Sequence, residues 1–176
     1  MPDISNPAPR NIVLIGMRAS GKTECGRALA QRLGRPFLDL DDELERIAGR
    51  GVDEVLEQDG ESAFRELEAQ VLAEAAGRRG HVIATGGGAV LHGEAFEALA
   101  RTGEVVYLQA SVEELQRRAA IRPRPALKEL DRDAEVGALL AERQALYEGF
   151  AQITIPVERG DPILAVYTAL EAREGS

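Results

Sequence analysis

Cysteine occurs once, at position 25, so no intrachain disulfide can form and no cysteine-rich metal site exists. Tryptophan is absent, and the two histidines, His81 and His92, have no metal-ligand spacing and are expected to be structural or exposed. No apolar run is long enough to cross a bilayer. The opening residues, MPDISNPAPR, have neither the apolar core of a signal peptide nor the arginine-rich amphipathic character of a transit peptide. Basic residues are outnumbered, 21 against 30 acidic, and the net charge of −9 argues against a general binder of nucleic acid or anionic membrane. A cytoplasmic protein is expected. Any anionic ligand must meet a locally basic site.

A hydrophobic share of 44% with 29% charged residues in 176 is that of one globular domain, taken as 1–176 with its core from about residue 11. A β-branched run at 11–15 leads through Gly16 to a helical pattern at 22–33. Further strands are expected at 36–39, 81–85, 105–108 and 153–157. Helices are expected after Asp41 and Asp42, which can cap one, at 61–77, at 134–150 and from about 162. A short segment with Val52, Val55 and Leu56 lies between the second and third helices. Strands alternating with helices in this way imply an α/β fold with a parallel sheet covered on both faces. Residues 120–133, with Pro123, Pro125 and three arginines, read as a loop of functional kind.

Gly16-Met-Arg-Ala-Ser-Gly-Lys22-Thr23 matches G-x-x-x-x-G-K-[ST] directly after a strand and opening a helix. The backbone amides of such a loop cradle phosphate oxygens, Lys22 reaches the β- and γ-phosphates, and the Thr23 hydroxyl suits Mg²⁺. Ala19, Ser20, Gly21, Lys22, Thr23 and Glu24 are therefore candidate nucleotide contacts. Only two of the 21 basic residues are lysine, so chance gives this pattern in roughly one chain in a thousand of this composition. Glu24 is the odd member: a carboxylate there suits the helix dipole but repels a phosphate.

Asp39 and Asp41 fall at the carboxyl end of the second strand, where open α/β sheets bind ligands. Alternation should aim both the same way, one acting on Mg²⁺ or its waters and the other orienting or deprotonating a hydroxyl; the plainer reading has Asp41 as a helix cap. Gly86, Gly87 and Gly88 follow the third strand at the same edge and allow close approach of a small ligand. Arg143 interrupts an apolar stripe of Val136, Leu139, Leu140, Leu146 and Tyr147, so its guanidinium needs an anionic partner, a structural carboxylate or a bound one. Arg65 has Glu68 one turn on and can form an i,i+3 pair. Arg122 and Arg124 lie in the proline-containing loop, where either can reach a transferring phosphoryl group. Cys25 reads as a small core residue.

In order, GMRASGKT, DLD at 39–41, FRELE at 64–68, TGGG at 85–88, RPAL at 124–127 and RQALY at 143–147 resemble the shikimate kinase family, a branch of the nucleoside-monophosphate-kinase-like P-loop fold, over about residues 11–171. The resemblance implies a three-layer α/β/α fold with five parallel strands in the order 2-3-1-4-5, a substrate region near 40–68 and a lid near 119–132. It implies ATP-dependent phosphorylation of the 3-hydroxyl of shikimate by what is taken as a monomer. In that family pattern Asp41, Arg65, Gly86, Gly87, Gly88 and Arg143 hold shikimate, with Asp41 on the reacting hydroxyl. Thr23 ligates Mg²⁺, with Asp39 acting through water, and Lys22 and Arg124 stabilise the transferring group. Either Arg117 or Arg118, with Arg118 preferred, and the segment 158–162 with Arg159 embrace adenine. Glu24, Ala126 and Ala145 depart from the usual pattern. The residues alone leave open a small kinase for another hydroxy acid, or a shikimate- or nucleotide-binding regulatory module without turnover.

Overall fold

The computed structural model describes residues 9–121 and 131–174. β1 (Asn11–Ile15) is buried at every position and lies at the centre of a single sheet. It pairs in parallel with β3 (Val82–Ala84) on one side and β4 (Gly103–Gln109) on the other. β2 (Phe37–Asp39) and β5 (Ile153–Pro156) form the edges, giving the expected order β2-β3-β1-β4-β5. Helices cover both faces, which is why β1 and β4 read as apolar runs without alternation. The polar exception is Asn11. Its Nδ2 donates to the Arg78 carbonyl and to Thr102 Oγ1, both at 2.8 Å, and its Oδ1 accepts from the His81 amide at 2.9 Å. One buried side chain thus ties together the residues entering both neighbouring strands.

Leu14 and Asp39 both register with Ala84, so β1, β2 and β3 end level. The segments leaving these strands therefore meet at one edge. After β1 come the phosphate-loop residues and α1 (Lys22–Leu33); after β2, α2 (Leu40–Ala48) and α3 (Val52–Ala76); after β3, the glycine turn, a 3₁₀ turn (Ala89–His92) and α4 (Glu94–Ala100). Beyond β4 lie α5 (Val112–Ile121) and α6 (Arg132–Phe150), and beyond β5, α7 (Pro162–Glu174).

Two local expectations need correction. The cap of α2 is Asp39, not Asp41 or Asp42: Asp39 keeps extended backbone and accepts from the Asp41 amide at 3.0 Å, so the helix opens at Leu40. Strand alternation consequently stops at Asp39 and does not aim Asp41. The segment containing Val52 and the helix expected from 61 are one element, α3, kinked at Gly60 (φ 84°, ψ 174°), a conformation open essentially to glycine.

Candidate active site

The phosphate loop is shaped by its backbone. Gly16 has φ 143°, and a Cβ there would lie 2.7 Å from the Leu108 carbonyl oxygen, so β4 excludes any side chain. Gly21, at φ 92°, caps α1 without a side-chain bond, leaving the first amides of the helix for a ligand. Lys22 Nζ, on a side chain that is largely buried, donates to the carbonyls of Gly16 at 2.8 Å and Met17 at 2.7 Å. The ammonium is held over the loop. Thr23 Oγ1 donates to Asp39 Oδ2 at 2.7 Å, so loop and strand edge present paired hard oxygen donors of the kind Mg²⁺ prefers. Among the described residues no group of three or more His, Cys, Asp or Glu side chains is arranged to hold a metal alone.

A cavity of about 750 Å³ runs from this loop to α3 and α6. Asp39, Asp41, Arg65, Gly86, Gly87, Gly88 and Arg143 line it together with residues 18–25. The glycine turn works by contact at each position. A Cβ on Gly86 would sit 3.0 Å from Asp41 Oδ1, one on Gly87 3.6 Å from Arg143 Nη1, and one on Gly88 2.6 Å from Arg65 Nη1. Three bare glycines thus let an acid and two guanidiniums converge on one backbone turn.

The two guanidiniums differ. Arg65 is partly exposed and pairs with Glu68 at 2.8 Å and Glu61 at 3.3 Å. Arg143 is 4% exposed, its nearest carboxylate among the described residues is Glu142 at 3.9 Å, and its Nε has no hydrogen-bond partner among them. A buried cation with an unmet donor is costly unless an anion completes it.

At the opposite end, Arg118 Nη1 donates to the Ser20 carbonyl at 3.2 Å and Nε to Glu114 at 2.5 Å. Arg118 lines the cavity, whereas Arg117 is mostly exposed and turns to Glu114. Hydrogen bonds from both arginines pull the Glu114 carboxyl down to about 2. Pro162, Ile163 and Ile121 add an apolar wall.

The family description of shikimate kinase matches residues 18–172. A shikimate kinase of Symbiobacterium thermophilum is 47% identical over 152 residues, covering 85% of this chain and 87% of that protein. One of Pseudomonas savastanoi is 40% identical, covering 92% and 94%. The chain belongs to the shikimate kinase family. Among solved structures, the shikimate kinase of Acinetobacter baumannii in complex with shikimate superposes with a TM-score of 0.87 at 37% identity, covering 95% of this chain and 94% of that one.

For a shikimate kinase, the placement of the expected site residues is uneven. Lys22, Thr23, Asp39, Asp41, Arg65, Arg143, the glycine turn, Arg118, Ala19, Ser20, Gly21 and Glu24 all line one cavity. Arg159 does not: it is exposed in the turn after β5, and the cavity wall there is Pro162 and Ile163. Arg122, Arg124 and Ala126 lie outside the described residues; of the expected lid, 119–121 close α5 and Arg132 opens α6. Other groups emerge only in three dimensions. Arg18, third in the phosphate loop, pairs with Glu135, which is fully buried on α6. The Tyr147 hydroxyl donates to the Gly87 carbonyl, and His92 meets Glu68. In the sequence Tyr147 shows only as a member of the apolar stripe and of RQALY, a turn after Arg143. Cys25 is buried as expected, and burial first, then Asp161, pushes its thiol up to about 11.

Proposed function

We infer that the chain transfers the γ-phosphoryl group of ATP to the 3-hydroxyl of shikimate, giving shikimate 3-phosphate and ADP, with Mg²⁺ as cofactor. The observation that carries the reading is the convergence of Asp41, Arg65 and Arg143 on a side-chain-free turn in the phosphate-loop cavity. An acid and two guanidiniums suit a hydroxylated carboxylic acid. Shikimate is the ligand bound by the A. baumannii kinase. Another acceptor acid, or a module without turnover, is not favoured beside relatives 40 and 47% identical that are themselves shikimate kinases.

In this reading Arg143 and Arg65 grip the carboxylate, and Asp41 orients the 3-hydroxyl and takes its proton. The 3-oxygen bonds to phosphorus in line as the bond from phosphorus to the β,γ-bridging oxygen breaks. Lys22 leaves the loop carbonyls for the phosphates, and Arg118 packs beside adenine. Thr23 and, through water, Asp39 would hold Mg²⁺, which would supply charge neutralisation to the phosphates. We take the chain to act as a monomer, and use of ATP favours the cytoplasm. Among the described residues no helix is long and apolar enough to cross a membrane.

ADP release coupled to an indicator reaction tests this directly. Turnover is expected with shikimate, ATP and Mg²⁺ together and not when any one is omitted. Background rates at saturating concentrations of all three would overturn the assignment.

A further inference from the structure

Glu68 is 7% exposed, and one of its oxygens is asked to do two things. Oε2 accepts from Arg65 Nη1 at 2.8 Å and meets His92 Nε2, also at 2.8 Å. A carboxylate only accepts, so Nε2 carries the hydrogen and His92 is a donor in either charge state. Arg65 is reached from the other side by Glu61 and has the bare backbone of Gly88 beneath it. Three side chains from α3 and the 3₁₀ turn therefore form a chain, His92 to Glu68 to Arg65, that ends in the cavity.

We propose that His92 is a positioning residue for Arg65: by taking part of the charge of Glu68 it frees the guanidinium to meet the carboxylate of the acceptor substrate. The proposal rests on the assignment of Arg65 to the shikimate carboxylate. Without His92, Glu68 is a buried carboxylate short of one donor, and it holds Arg65 the harder. With His92 in place, its Nε2–H shares the charge of Glu68 from behind, and more of the positive charge of Arg65 is left for the ligand.

The contacts from His92 to Arg65 are the whole of the proposed coupling. The charged groups around it are few among the described residues. From α3 come Glu68, Arg65 and Glu61; from α2, Asp41, whose Oδ1 and Glu68 Oε1 both approach Gly86; and across the turn from α6, Arg143. On α4, Glu94 and Glu97 are exposed, Glu97 pairing with Arg101 at 3.4 Å.

The test is steady-state kinetics of the full chain, varying shikimate at saturating ATP and then the reverse. His92→Gln keeps a donor toward Glu68; His92→Leu removes it. His92→Leu should raise KM for shikimate about three- to tenfold, with kcat and KM for ATP within about twofold, and His92→Gln should hold KM for shikimate within about twofold of the wild type. Should His92→Leu unfold, as judged by circular dichroism, the His92→Gln enzyme decides alone. A His92→Leu enzyme with wild-type KM overturns the proposal, as does a His92→Gln enzyme whose KM for shikimate rises about tenfold although a donor is kept. Failure of the functional reading is distinct, because then the wild type itself shows no shikimate turnover.

Discussion

The Tyr147 hydroxyl donates a 2.6 Å hydrogen bond to the carbonyl of Gly87, so a single side chain on α6 anchors the middle of the glycine turn. Tyr147 is fully buried and stacked on Tyr107, with ring centroids 5.1 Å apart. Burial raises its phenol well above the usual range, which keeps it a proton donor at any working pH. Arg143 interacts with the same phenol. The residue expected to grip substrate and the turn expected to receive it thus share one support.

Tyr147→Phe should leave the ring stack intact and strand the Gly87 carbonyl. A loss of about 1–3 kcal/mol in stability is expected, read as a fall in Tm by thermal denaturation. KM for shikimate should rise severalfold while KM for ATP stays put, since the hydroxyl bonds to the glycine turn and not to the phosphate loop. Equal changes in both constants would mean that the phenol supports the whole fold and has no particular hold on the turn.

Arg143 allows a sharper separation of stability from function. It is buried with an unmet Nε, and the carboxylate of Glu142 comes only to 3.9 Å, so its charge is a cost in the unliganded protein. Arg143→Met keeps volume and removes that cost. The ligand-free variant should be as stable as the wild type, or more stable by about 1 kcal/mol. Its shikimate affinity should fall about a hundredfold, as expected for a lost bidentate contact to a buried anion, with ATP affinity little changed. Isothermal titration with each ligand and a thermal melt give all three numbers. A variant that melts much lower would show that Arg143 holds the fold together.

The fold is legible in the sequence because its signals are local: β-branched runs, the phosphate-loop spacing and the triple glycine each mark a strand end, and strand ends of a parallel sheet meet at one edge. Asp39 is legible as a site residue but not as the cap of α2, because a cap is decided by which residue keeps extended backbone, and the three-residue strand β2 leaves that open by one or two positions. The pairs Arg18 with Glu135 and His92 with Glu68 span 117 and 24 residues of chain. No periodicity reports such contacts. Arg143 stands out because it violates an apolar stripe; Glu135, on the same helix and equally buried, stands just ahead of that stripe and breaks no pattern.

Ala19 is the only described residue other than glycine with a positive φ, at 66°. It sits in the phosphate loop, where the left-handed conformation costs an L side chain about 1–2 kcal/mol. Ala19→Gly removes that strain but enlarges the entropy of the unfolded chain by roughly half as much. A net gain of about 0.5–1 kcal/mol in stability is expected. Denaturant unfolding checks it, and a loss of stability would show that the Ala19 methyl makes packing contacts worth more than the strain.

Glu24 lies beside the loop that must receive phosphate oxygens. Its side chain lines the cavity in the first turn of α1, where the helix dipole welcomes a carboxylate but a bound polyphosphate does not. The repulsion acts through solvent, because Glu24 is exposed, so it should be modest and salt-sensitive. Glu24→Thr replaces the carboxylate with a neutral hydroxyl and should lower KM for ATP about two- to fivefold at low ionic strength, the advantage shrinking as salt rises past about 0.2 M. KM for shikimate should not move. Kinetics of the wild type and the variant across a salt series decide the matter: an unchanged or higher KM for ATP in Glu24→Thr would mean that the carboxylate already points its charge away from the phosphates, and that its interactions elsewhere on α1 matter more than its nearness to the loop.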